Sequence, residues 1–173
     1  QHYAADITRT YPISGKFSEP QKALYNLVLK AQLAGMEALK PGTTLQGFSA
    51  ISARTLTEGL VELGILKGEP QKLYDAKAYR RFYYHGPSHW LGLDTHDSGA
   101  YKINGESRTL EAGMVLTNEP GLYIADGSEG VDKQWWGIGI RIEDEVLITD
   151  DSHHVLSADV PKDISAIETL MNE

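Results

Sequence analysis

Apolar residues recur at helical spacing in two long stretches of the chain, and most of the second half carries short β-prone runs broken by glycine. The first helical stretch follows Ser18, a residue type whose hydroxyl caps free backbone N–H groups, and Pro20 falls in its first turn. Leu24, Leu27, Val28, Ala31, Ala34 and Leu39 mark one face until Pro41-Gly42 ends the pattern. A second helix is predicted from Thr44, with Phe48, Ile51, Leu56, Leu60 and Leu63 inward and Gly64 as its cap. Ahead of both, Tyr3 to Tyr11 is β-prone and stops at Pro12. Beyond His85 the β-prone runs are Trp90 to Asp94, Met114 to Asn118, Leu122 to Ile124 and Ile138 to Thr149. Turn residues at Glu111-Ala112-Gly113 and Asp126-Gly127 separate them, and a short helix carrying Ile164, Ile167 and Leu170 begins near Asp163. Helices first and strands afterwards predict an α+β domain, with helices on one side of a largely antiparallel, curved sheet. Strand curvature accounts for Gly92, Gly137 and Gly139 inside these patterns.

Composition narrows the chemistry. A chain of 173 residues fits one domain, and 41% hydrophobic with 23% charged residues is ordinary for a folded one. No apolar run reaches the roughly 20 residues of a membrane helix, and no repeat or linker is visible. Cysteine is absent, which excludes disulfides and thiolate ligands and is compatible with a reducing cytoplasm. The net charge of −8 argues against a nucleic-acid partner. It suits a site for cations and a protonated peptide N-terminus, although solubility alone also explains it.

Four clusters carry candidate chemistry. His85, His89 and His96, half of the chain's six histidines, fall in one Gly-containing apolar run with Asp94 and Asp97. In an extended segment His85 and His89 share a face, and a bend returns His96. Glu119 follows an apolar run and precedes Pro120-Gly121, where a strand end can present a ligand. Strand alternation from Gly137 onward puts Arg141, Glu143 and Glu145 on one face and Asp144 on the other. An edge-strand ladder of Arg and Glu reads the same way. Asp6 stands among small and β-branched residues, where aspartate is disfavoured unless something holds it. Together Asp6, His89, Glu119 and Glu143 form an oxygen-rich set with one imidazole, suited to a carboxylate-bridged pair of divalent ions.

The strings D-I-T-R-T-Y-P from Asp6, H-G-P-S-H-W-L-G-L-D-T-H-D from His85, G-M-V-L-T-N-E-P-G-L-Y-I from Gly113 and G-I-G-I-R-I-E-D-E-V from Gly137 resemble bacterial Xaa-Pro aminopeptidases. Their wider group shares the pita-bread fold with creatinases, methionine aminopeptidases and prolidases. The resemblance implies hydrolysis of the bond between an N-terminal residue and a following proline, at two divalent ions, usually Mn²⁺. It makes Asp6 and Glu143 bridging ligands, and His89 and Glu119 ligands of one ion. Glu119 also shuttles the proton, His96 stabilises the oxyanion, His85 holds the proline side and Arg141 orients the carboxylates. It further implies a cytoplasmic dimer or tetramer acting on peptides with proline second. The family's first ligand aspartate falls before Gln1, so residues 1–173 are expected to be the C-terminal catalytic domain of a longer protein. Alone, this domain is expected to hold its second ion weakly and to be nearly inactive. Ser88 before His89, where prolidases tend to carry Gly, favours the aminopeptidase over a prolidase that cuts Xaa-Pro dipeptides. A pita-bread domain that only binds partners is the third reading. The retained ligands argue against a creatinase-like, metal-free enzyme.

Overall fold

A computed structural model describes residues 2–173. Helix α1 spans Glu19–Ala38 and starts in a capping box: the Ser18 hydroxyl accepts from the Gln21 N–H while the Gln21 side chain accepts from the Ser18 N–H. Helix α2 spans Leu45–Glu62, capped by the Thr44 hydroxyl, and packs along α1. Gly64 follows at φ 71°, as its capping role requires. Ile51, expected inward, is exposed, because Ser52 and Ala53 occupy the buried face at that turn. Three short helical elements carry no long apolar stripe and lie outside the predicted helices: α3 at Pro70–Asp75 and 3₁₀ turns at Ala78–Arg81 and Lys133–Trp135. Helix α4, Ile164–Leu170, buries Ile167 but leaves Leu170 exposed. No helix among the described residues is long and apolar enough to cross a membrane.

Among the described residues the strands form three small antiparallel sheets. Strands β1 (Lys102–Ile103) and β2 (Glu106–Ser107) make a hairpin around Asn104-Gly105, both at positive φ. β3 (Val115–Asn118), β6 (Asp144–Ile148) and β7 (His153–Val155) form the second sheet, with β6 central. β4 (Gly121–Ile124) and β5 (Ile138–Arg141) form the third. The run Ile138 to Thr149 is therefore two strands, which leave one ladder and join another across Ile142-Glu143. Tyr3 to Tyr11 makes a single bridge, Thr8 to Glu143, and Trp90 to Asp94 a single bridge, Trp90 to Leu116. Of the three glycines assigned to strand curvature, only Gly139 lies in a strand. Gly92 sits where the chain bends, and a Cβ there would lie 1.8 Å from the Asp97 carboxylate; Gly137 precedes β5 at φ 72°.

One core joins α1 and α2 to β4, β5 and α4 through Leu24, Leu56, Leu60, Leu122, Ile140 and Ile167. A second joins Phe48 to Trp90, Leu116 and Val146. The first core includes Leu122 and Ile142 and the second Leu116 and Val146, all within four residues of Glu119 or Glu143 in the chain.

Candidate metal centre

Two strand-to-strand links bring the acidic residues together. Glu119 lies in the link between β3 and β4, and Glu143 in the link between β5 and β6. Because Asn118 pairs with Asp144 and Gly121 with Arg141, the two links run side by side. His89 arrives along β3, where the Thr117 N–H donates to its carbonyl at 3.0 Å and its own N–H donates to the Thr117 hydroxyl at 3.1 Å. Asp6 comes from the opposite side, on the segment bridged to Glu143 through Thr8.

The donor atoms converge on His89. Its Nε2 lies 3.2 Å from an Asp6 oxygen and 3.3 Å from a Glu119 oxygen. Its Nδ1 donates to the Trp90 carbonyl at 3.0 Å, which turns the Nε2 lone pair toward the carboxylates. His89, Glu119 and Glu143 offer ligand atoms all within 4.8 Å of one another, and so do Asp6, His89 and His96. The Thr8 hydroxyl donates to Glu143 Oε2 at 2.5 Å, while Glu143 Oε1 is buried with no hydrogen-bond partner. Burial pushes the Glu119 carboxyl up to about 7; Arg141 opposes this and Asp6 reinforces it. Burial likewise raises Glu143 to about 7, against the Thr8 hydrogen bond and with help from Glu119 and Asp6. Crowded carboxylates, a buried oxygen without a donor and an imidazole lone pair aimed among them fit divalent cations.

A cleft of about 630 Å³ opens over this cluster, lined by His85, His89, His96, Glu119, Tyr123 and Arg141, among others. His85 Nδ1 donates to the Gly86 carbonyl, so its Nε2 accepts from the Tyr123 hydroxyl, each at 2.8 Å. Burial holds the His85 pKa below the usual imidazole value, against the raising effect of the Gly86 bond, and Arg141 and Arg80 lower it further. The His96 ring is exposed and lies 4.3 Å from the His89 ring, centroid to centroid. Arg141 Nε donates to the Thr8 hydroxyl at 3.2 Å and stands 3.9 Å from Glu143 Oε2.

The seven residues to which the sequence gives a role thus lie at one cleft or its floor. Four that sequence reasoning gave no role join them: Thr8, Thr117, Tyr123 and Glu145, whose Oε1 accepts from the Asp6 N–H at 2.5 Å. Thr8 and Thr117 stand two residues from Asp6 and Glu119, so strand alternation alone would have put them on the ligand face.

The model of metallopeptidase family M24 matches residues 1–150. The Xaa-Pro aminopeptidase of Haemophilus influenzae is 52% identical over 170 residues, 98% of this chain but 39% of that protein. The aminopeptidase PepP of Pseudomonas aeruginosa superposes with TM-score 0.97 at 48% identity, over 98% of this chain and 38% of its own. Aminopeptidase P from Escherichia coli with the inhibitor Pro-Leu gives 0.95 at 48% identity, over 99% of this chain and 38% of its own. The chain therefore spans about two-fifths of the length of the relatives it matches. Its helices and antiparallel ladders are those of the pita-bread fold.

Proposed function

The chain belongs to metallopeptidase family M24, and within it we propose the catalytic domain of a dinuclear aminopeptidase that cleaves after an N-terminal residue followed by proline. The observation that carries this reading is the convergence of Asp6, His89, Glu119 and Glu143, with one Glu143 oxygen buried and unpartnered. Asp6 and Glu143 would bridge two ions, by preference Mn²⁺, and His89 and Glu119 would complete the coordination of one. Bound there, divalent ions would supply the Lewis acidity that makes water a nucleophile at neutral pH.

The remaining steps belong to side chains. Glu119 takes the proton from the attacking water and delivers it to the proline nitrogen as the peptide bond breaks. His96, exposed at the cleft edge beside His89, donates to the oxygen of the carbonyl under attack. His85, fixed by Gly86 and Tyr123, holds the proline side of the peptide. Arg141, through Thr8, keeps the Glu143 carboxylate aimed at the centre. Activity belongs to the whole protein, of which residues 1–173 would be the C-terminal catalytic part, assembled as a cytoplasmic dimer or tetramer.

The test is release of the first residue from an Xaa-Pro-Xaa tripeptide beside an Xaa-Pro dipeptide, by the full-length protein loaded with Mn²⁺. Tripeptide cleavage lost in Glu143→Ala supports the aminopeptidase. Cleavage of the dipeptide alone makes it a prolidase. Bound metal with neither substrate cleaved turns the reading to a binding domain.

A further inference from the structure

Asp6 is the least supported of the converging residues. Residues 2–7 belong to no helix or strand, and the segment meets the rest of the fold through one bridge and a few hydrogen bonds. It must nevertheless hold a carboxylate against Glu119 and Glu143, which carry the same charge when ionised. The two faces of the bridge divide this work. On the cleft face lie Asp6, Thr8 and Glu143; on the opposite face, one residue along each segment, lie Arg9 and Asp144.

Arg9 uses every N–H it has. Its Nε donates to the Pro161 carbonyl at 3.0 Å. Its Nη1 donates to the Thr8 carbonyl at 2.9 Å and to the carbonyl of Glu143 itself at 2.6 Å. Its Nη2 donates to Asp144 Oδ1 at 2.7 Å and to the Val160 carbonyl at 2.9 Å. Asp144 is wholly buried and is gripped in turn by Ser157 at 2.7 Å, and by Gln32 and Lys162 at 2.6 Å each. A guanidinium thus staples the Asp6 segment to the backbone of Glu143, and a buried carboxylate anchored to α1 and the C-terminal segment holds the guanidinium. Lysine, with three donors on one nitrogen, cannot reproduce that fork.

We propose that Arg9, seated on Asp144, is the positioning residue that sets the spacing of Asp6 from Glu143 and so assembles the two-ion site. This rests on the reading of those two carboxylates as bridging ligands. Arg9 touches neither ions nor substrate; it acts through the backbone of Thr8 and Glu143. Replacing it loosens the register of the Asp6 segment while leaving the residues that line the cleft unchanged.

The experiment measures Mn²⁺ affinity and stoichiometry by calorimetry, and the visible absorption spectrum of the Co²⁺-loaded form, in the full-length protein. Arg9→Ala, Arg9→Lys and a core variant, Leu60→Ala, are compared well below their melting temperatures. Arg9→Ala is expected to weaken Mn²⁺ binding by about 10–100-fold and to alter the Co²⁺ spectrum. Arg9→Lys, which carries the test if Arg9→Ala does not fold, should fall between Arg9→Ala and the parent. Leu60→Ala, destabilised but remote from the staple, should keep parental affinity and spectrum. Parental affinity and spectrum in the Arg9 variants would overturn the proposal, as would an equal loss in Leu60→Ala. A parent protein that binds no metal would overturn the metal centre itself, and this inference with it.

Discussion

Three carboxylates and one imidazole lone pair share the floor of the cleft, and the proton is the competitor for any cation that binds there. Burial, followed by neighbouring charge and hydrogen bonds, sets Glu119 and Glu143 near 7, so each is partly protonated at neutral pH without metal. Metal must displace those protons, and Mn²⁺ affinity is predicted to rise as pH rises toward 7 and to level off above it. Calorimetry in buffers of different ionisation enthalpy should record proton release at about pH 6 and little at about pH 8. An affinity flat across that range would mean the two carboxyls are ionised throughout. The same shifts give a sign for stability. Between 4.5 and about 7 the metal-free folded state holds protons that the unfolded chain has released, so its stability falls as pH rises through that window. That Asp6, His89, Glu119 and Glu143 come together was foreshadowed only by their motifs taken jointly, because each alone reads equally well as a turn or edge residue. The roles of Thr8 and Tyr123 were not, because a hydroxyl's partner is set by tertiary contact, here 135 and 38 residues away in sequence.

At the level of elements, α1 and α2 were readable from their stripes and caps, whereas the path of the strands was not. The run Ile138 to Thr149 alternates without a break, yet the chain changes partner at Ile142-Glu143, and only long-range pairing decides that. The Asn104-Gly105 turn was a local signal that went unused. How closely the helix pair packs was also hidden, because a glycine within a helical pattern does not show what faces it. A Cβ on Gly35 would meet the Phe48 ring at 2.7 Å and the Ser52 hydroxyl at 2.9 Å, both from α2. Gly35→Ala is therefore predicted to cost about 1–3 kcal/mol through overpacking, more than the roughly 1 kcal/mol that alanine adds to a helix. Thermal melting should show a lower transition; a raised one would mean that the helices part freely at this crossing. The same Cβ would stand 3.3 Å from Asn118 Oδ1, one residue before Glu119, so the strain falls beside the site as well.

On the scale of the molecule, the centre is where distant parts of the chain are tied together. Behind it, burial would raise the Asp144 carboxyl, but hydrogen bonds from Lys162, Arg9 and Ser157 outweigh this and hold it below its ordinary 3.8. That stabilisation is fully present above 3.8 and is lost only as pH falls through the lower folded value. Asp144→Asn should accordingly cost about 3–5 kcal/mol in urea unfolding at neutral pH, since Arg9 and Lys162 lose their counter-charge. A penalty that persisted undiminished in strong acid would show a packing effect instead. In front of it, metal would join the two strand links to the Asp6 segment and the His89 run, each of which the strands reach through a single bridge. Binding confined to the folded state adds about 2.7 kcal/mol when free metal is a hundredfold above its dissociation constant. Chelation is thus predicted to lower the melting temperature by several degrees, reversibly on return of Mn²⁺. The loss should not be uniform. Residues 2–7 lie outside every helix and strand, and Asp6 among them stands beside like charges that metal would neutralise, so their amides should exchange faster on chelation, while those of α1 and β6 barely change. Even exchange across the fold would mean that the ions stabilise the molecule without organising its N-terminal segment, and that Arg9 alone suffices to hold Asp6 in place.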